Sequence, residues 1–274
     1  MVEVNSLLRA LEIFIDEFGD ALKEGSSGEA GGARASERED PVRRARESAM
    51  NALLESLSGS KPSLDRASNY VRELEEAAAA AGMNVLGVDL ITRSKMIVGW
   101  SPLYFVTEVP LSWDMVLDVP YVPASTVKGI LRSAFTVARD GCADALFGTR
   151  GGRGLAIFFD AYPVGAEGGL LDYDVITPHY RDIAHKDEKD EYDVQPQPVL
   201  HLVVGKGVRF RAVAAYRAGG ESDCDPLRSL LRAIYLSARL GWGRRTSRGY
   251  GILRPDPKSA SLRRGGDRRW IRWS

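Results

Sequence analysis

Long apolar runs are missing from this 274-residue chain. No stretch reaches the roughly 18 consecutive apolar residues of a membrane span, so no such span is expected. The opening residues, MVEVNSLLRALEIF, carry Glu3 and Arg9 within their apolar stretch and lack a small-residue cleavage site, so no secretory signal is expected. Cysteine is scarce: Cys142 and Cys224 are too few for a disulfide scaffold or a zinc site, which points to a reducing cytoplasm. Asn and Gln are scarce while arginine is abundant, the mark of a thermophile or of GC-rich coding. Net charge is also absent, at +0 overall, which by itself gives no sign of a polyanion partner.

The distribution of charge says more than its sum. Residues 241–274 hold ten Arg and Lys against Asp256 and Asp267, a net of +8, whereas residues 1–86 are net acidic. Such asymmetry is a footprint of polyanion binding, and a solvated basic tail leaves the same trace. The apolar content suits a soluble globular protein, and the length suits one large domain or two small ones.

Leu7, Leu8, Leu11, Phe14, Phe18 and Leu22 recur near a 3.6 period and predict a helix over 4–24. Residues 25–40 are Gly, Ser and charge, the composition of a flexible linker. Helices are expected over 41–58 and 63–82, separated by Pro62 and Ser63 and stopped by Gly82. Together, residues 1–83 form a helical N-terminal extension. From Val85 the character changes to β-branched residues and a strand or hairpin to Ile97, then short extended pieces over 103–119. A helix capped by Ser125 or Thr126 runs to Arg139, and a strand covers Gly154 to Phe159. Residues 172–197 read as irregular. Val199 to Val204 and Val208 to Tyr216 read as strands of a hairpin closed by Gly205-Lys-Gly207, Pro226 opens a helix through Leu240, and a last strand begins at Gly251. The order βαββαβ is that of an α+β, ferredoxin-like (RRM-like) domain over 84–254. Its four-stranded antiparallel sheet is expected to carry both helices on one face and leave the other free. Residues 255–274 are then a basic C-terminal tail.

Two segments carry candidate chemistry. In Pro120-Tyr-Val-Pro-Ala-Ser-Thr-Val-Lys-Gly-Ile-Leu-Arg132, a helix start with Ser125, Thr126, Lys128, Gly129 and Arg132 offers its N–H groups and a cation to a phosphate. An ordinary capped helix with a solvated lysine would look the same. In Leu240-Gly-Trp-Gly-Arg-Arg-Thr-Ser-Arg-Gly-Tyr-Gly251, Gly241, Gly243, Gly249 and Gly251 let the backbone approach a ligand closely. There Arg244, Arg245 and Arg248 supply phosphate contacts, and Trp242 and Tyr250 are placed to stack on bases. It is neither a P-loop nor a dinucleotide fingerprint, since it lacks Gly-Lys-Ser/Thr and lies between a helix and a strand.

The pairing of a Pro-x-Ser-x-x-Lys-Gly-x-x-Arg helix start (Pro123, Ser125, Lys128, Gly129, Arg132) with the glycine-rich loop resembles the RAMP superfamily of CRISPR proteins. Leu146-Phe147-Gly148, Phe159 to Pro163, Ile176 to Tyr180 and Gln195 to Pro198, in that order, are similar to the sixth-subunit family of the type III-B Cmr effector complex. The chain departs from the commonest RAMP form at Ala124-Ser125-Thr126, where Gly-Ser-Ser is usual, and at Arg245, where lysine is frequent. The resemblance implies a RAMP fold and a non-catalytic, RNA-binding cytoplasmic subunit needing no metal or cofactor. Its partners would be guide RNA towards the 3′ end, target RNA, and the backbone and capping subunits of the complex. Rival readings are a subunit of the type III-A complex, or a guide-processing endoribonuclease in which His179 acts on a ribose 2′-OH. A lone His179 without His185 or His201 at motif spacing also reads as structural. So does Asp160, as a cap on local N–H groups, and the acidic cluster Asp187, Glu188, Asp190, Glu191 and Asp193 reads as a solvated loop.

Overall fold

The computed structural model describes residues 5–27, 41–58, 61–99, 109, 111–177, 198–217, 224–267 and 269–272. The chain opens with three helices: α1 (Ser6–Ser27), α2 (Pro41–Ser58) and α3 (Lys61–Ala80). Helix α1 buries Leu7, Ala10 and Phe14, and α2 buries Ala45, Ala49, Met50, Leu53 and Leu57, so apolar stripes of helical period pack the two together. Asn5 caps α1, its Oδ1 accepting from the Leu7 and Leu8 N–H groups at 3.0 and 3.1 Å. Asp118 Oδ2 accepts from Ser6 N at 2.9 Å, which ties the start of α1 to the turn between β2 (Trp113–Asp114) and β3 (Val119–Pro120).

The strands of the main sheet are β1 (Asn84–Thr92), β6 (Ala156–Phe158), β7 (Tyr162–Ala166), β10 (Val208–Tyr216), β11 (Leu253–Arg263) and β12 (Trp270–Arg272), while β4 (Gly148–Thr149) and β5 (Gly152–Arg153) pair apart from it. Its order is β12-β11-β1-β10-β6, with β7 also pairing β10, and every pairing is antiparallel. Side chains alternate between the faces of a strand. Leu86, Val88 and Leu90 are buried on one face, over which α4 (Ala124–Ala138) and α6 (Pro226–Leu240) lie side by side. Gly87 and Asp89 point the other way, where α3 crosses β1, β7 and β10. The face expected to be free is therefore covered by the helical extension. Arg211 of β10 binds Glu75 of α3 at 2.8 Å and Asp89 of β1 at 3.0 Å, pinning helix to sheet.

Several expectations are corrected. Residues 255–274 are not a tail, because β11 and β12 belong to the main sheet. The strands flanking Gly205-Lys-Gly207 do not form a hairpin. Instead β9 (Val199–Val204) pairs with β8 (Leu171–Ile176), part of the stretch read as irregular, while β10 joins the main sheet. Thr92 separates them: its hydroxyl donates to Gly205 O at 2.7 Å and accepts from Val208 N at 2.9 Å. The two cysteines are bonded to each other, linking the residue before α5 (Ala143–Phe147) to the residue before the α6 cap, Asp225. Proximity in the fold, not their number, decides this. Among the described residues, no helix is long and apolar enough to cross a membrane.

Candidate nucleic-acid interface

The glycine-rich loop is threaded into the fold by its backbone. Arg244 N donates to Ile97 O, Gly251 N to Lys95 O and Trp242 N to Gly251 O, each at 2.8 Å. These contacts need glycine: a Cβ on Gly243 would lie 2.2 Å from Ile97 O, and one on Gly251 would lie 1.9 Å from Trp242 O. Both residues also have positive φ, +88° and +69°. A single 3-10 turn, Thr246–Arg248, follows Arg245, which itself adopts the left-handed conformation with φ 57°. A non-glycine residue seldom holds that conformation without surrounding constraint. The outcome is a rigid loop from which the side chains of Arg244, Arg245 and Arg248 reach solvent. None of the three makes a side-chain hydrogen bond or ion pair among the described residues.

The two aromatics of the loop behave differently from expectation. Trp242 is fully buried, its Nε1 donating to Ser237 Oγ at 3.0 Å, so it anchors the loop to α6 and does not present a stacking face. The helix behind it supplied both the apolar surroundings and the acceptor that an indole requires. Tyr250 is half-buried, and its hydroxyl donates to Asp174 Oδ2 on β8 at 2.8 Å. Burial, reinforced by that bond, pushes the Tyr250 phenol up. Burial alone would raise the Asp174 carboxyl, but the Tyr250 hydroxyl and the Val175 N–H outweigh it and hold the group below the usual carboxylate range. Directly across from Asp174 on β9 stands His201, buried and with no side-chain hydrogen-bond partner for either ring nitrogen among the described residues. Burial holds its imidazole below the usual value, against the opposing pulls of the Val199 backbone and Asp174, with Arg245 and Lys95 adding to the lowering.

The second motif is built otherwise than its sequence suggests. Helix α4 starts at Ala124 with Pro123 as its cap residue, so Ser125 and Thr126 lie inside the first turn and make no capping bond. The cap arrives from a distant segment: Asp160 Oδ1 accepts from Ala124 N at 2.6 Å. That carboxylate occupies one of the N–H groups expected to face a phosphate, and its charge offsets the positive end of the helix. Lys128 sits on the second turn, exposed, with Ser125, Gly129 and Arg132 on the same solvent face, while Val127 and Leu131 are buried. Asp160→Ala is expected to destabilise the protein by about 1 kcal/mol, as loss of a helix cap does, measured by urea unfolding. His179, His185 and the acidic cluster lie outside the described residues.

The glycine-rich loop meets the end of the main sheet where β1 finishes and β11 begins, Thr92 pairing with Leu253, whereas the start of α4 sits at the other edge, beside the middle of β10. A ladder of contacts joins them, from Ile97–Arg244 through Val98 O–Ser112 N and Ser112 O–Tyr121 N to Val122–Ala161, beside Asp160. The RAMP superfamily model matches residues 101–254, a span that contains both motifs. The chain belongs to the RAMP superfamily. It is 31% identical over 195 residues to the CRISPR system CMR subunit Cmr6 of Saccharolobus solfataricus, covering 69% of this chain and 64% of that protein. It is 35% identical over 118 residues to the CRISPR system Cmr subunit Cmr6 of Pyrococcus furiosus, covering 39% and 33%. The matched region thus spans less than two thirds of the length of either relative. In fold, the chain is similar to a chain of the cryo-EM structure of the type III-B Cmr-beta bound to cognate target RNA. That likeness has a TM-score of 0.74 and 24% identity, covering 96% of this chain and 94% of the other.

Sequence reasoning missed the residues that shape the RAMP loop from outside it. Lys95 lends its carbonyl to Gly251 and its ammonium to Tyr173 O and Asp172, and Asp174 holds Tyr250. Asp174 lies 76 residues from its partner, so no local pattern could have marked it.

Proposed function

We propose that this RAMP protein is a non-catalytic, RNA-binding structural subunit of a type III-B Cmr effector complex in the cytoplasm. Guide RNA towards its 3′ end, target RNA and the neighbouring Cmr subunits are its partners. The observation that carries the reading is the loop 241–251, which offers three exposed arginines without a side-chain partner among the described residues, on a backbone that is already fixed. A rigid cationic loop binds phosphates without a large ordering cost, and Lys128 and Arg132 add cations from α4. The likeness to Cmr6 proteins supports the assignment to this complex. The sheet order β11-β1-β10 with β6 and β7 at the edge, and α4 and α6 on one face, supports a ferredoxin-like core to which α3 adds a cover.

The test is RNA binding by the full chain and by the reconstituted complex. R245E/R248E is expected to weaken binding of single-stranded RNA at least tenfold and to reduce the slope of log K against log salt by about 1.4, at roughly 0.7 per phosphate contact. Its melting temperature is expected to match the parent. Unchanged RNA retention and complex assembly would overturn the reading.

A further inference from the structure

We propose that the phosphate-binding surface extends beyond the glycine-rich loop onto the end of β1 and β11, where Arg93, Lys206 and Arg254 contact further phosphates of the same RNA. This rests on the RNA-binding reading of the loop. None of the three residues belongs to a motif, and they come from three separate stretches of sequence. Pairing brings them together. Arg93 N donates to Ile252 O at 2.8 Å, next to the strand position that pairs Ile91 with Arg254. Gly207 N donates to Thr92 O at 2.9 Å, which sets Lys206 beside the same strand end. The segment 93–97 is also the one against which the loop is threaded, through Gly251 N to Lys95 O and Arg244 N to Ile97 O. Arg93 and Arg254 therefore flank one end of this seam, and Arg244, Arg245 and Arg248 the other.

What marks these cations is their lack of internal partners. All six are exposed, and none makes a side-chain hydrogen bond or ion pair among the described residues. Neighbouring cations are committed elsewhere: Arg209 binds Asp256 at 2.6 Å, and Lys95 binds Asp172 at 3.2 Å. Asp256, the acid close to Arg254, is thus already engaged. Glu167, beside Gly207, is exposed and forms no ion pair with Lys206 among the described residues. Six exposed cations around one seam repel one another, and a polyanion lying across them removes that repulsion while releasing its own counterions. The alternative is six independently solvated side chains.

Binding of a labelled single-stranded RNA oligonucleotide to the full chain, measured across a salt series, separates the two. The variant R93Q/K206Q/R254Q is expected to keep the parent melting temperature and to reduce the slope of log K against log salt by about 2, at roughly 0.7 per phosphate. R245E/R248E is measured alongside. If the loop variant lowers the slope and the rim variant does not, the extension is wrong and the loop reading stands. If neither does, both fall. A rim variant that weakens binding at every salt concentration with its slope unchanged also overturns the proposal, since phosphate contact must appear in the slope. Should the rim variant melt early, the single variants R93Q, K206Q and R254Q provide the second measurement: each is expected to reduce the slope by about 0.7, and three unchanged slopes would overturn the proposal.

Discussion

Replacing Arg211 with Met is expected to destabilise the protein by about 3–5 kcal/mol, the usual cost of stranding buried charge. The guanidinium binds Glu75 Oε1 at 2.8 Å, Asp89 Oδ1 at 3.0 Å, the Ser259 carbonyl at 2.9 Å and Ser261 Oγ at 2.6 Å. It spans α3, β1 and β11 from its own strand β10, and its side chain is 14% exposed while that of Glu75 is 8% exposed. Removing it leaves two carboxylates facing each other with little solvent. Against a total stability of about 5–15 kcal/mol this is a large fraction, and thermal melting is expected to fall by roughly 10 °C. Burial already pushes the Glu75 carboxyl up, with Arg211 pulling it back, so without Arg211 it rises further. A carboxyl whose pKa is raised on folding favours the folded state when protonated, and that contribution is lost as pH rises through the folded value. The deficit of R211M should therefore be smallest in acid and grow as pH rises through the raised Glu75 pKa. E75Q in the R211M background should recover part of it at neutral pH. A deficit that is independent of pH and untouched by E75Q would show that Arg211 acts through packing alone.

Reducing the bond between Cys142 and Cys224 carries an effect of similar size. It closes a loop with a sequence separation of 82 across a Cα–Cα distance of 5.3 Å. The chain-entropy model puts such a loop at about 4–5 kcal/mol, or on the order of 10 °C in melting temperature. The native arrangement does not depend on the bond alone: Asp140 Oδ1 accepts from Cys142 N at 3.0 Å and from Ser229 Oγ at 3.1 Å, so α6 stays tethered nearby. Reductant, or C142S/C224S, is thus expected to lower the melting temperature while leaving RNA binding at ambient temperature unchanged. Equal melting with and without reductant would show that the cysteines are not joined in solution.

The sequence by itself determined the helices, several of the strands and the cationic character of the loop. Periodicity marked α1, Pro62 and Ser63 marked the break between α2 and α3, Pro226 marked the start of α6, and four glycines with three arginines marked a closely packed, cationic loop. These signals are local, arising from side chains within a turn or two of each other, and the backbone obeys them wherever the rest of the chain goes. Tertiary structure alone decided which strand meets which, and what each tempting residue does. It paired β9 with β8 rather than β10, made strands of the supposed tail, buried Trp242 against Ser237 and brought Asp160 to cap α4 across 36 residues. It also divided the basic C-terminal run. Arg244, Arg245, Arg248 and Arg254 gather at the end of the sheet where β11 begins, whereas Arg263 pairs with Val85 at the other end. A strand eleven residues long separates charges that stand close together in sequence, and strand pairing sets Arg93 against Ile252, two residues from Arg254, although they stand far apart in sequence. Charge counted along a chain is therefore a weaker guide to a basic surface than charge placed by strand pairing.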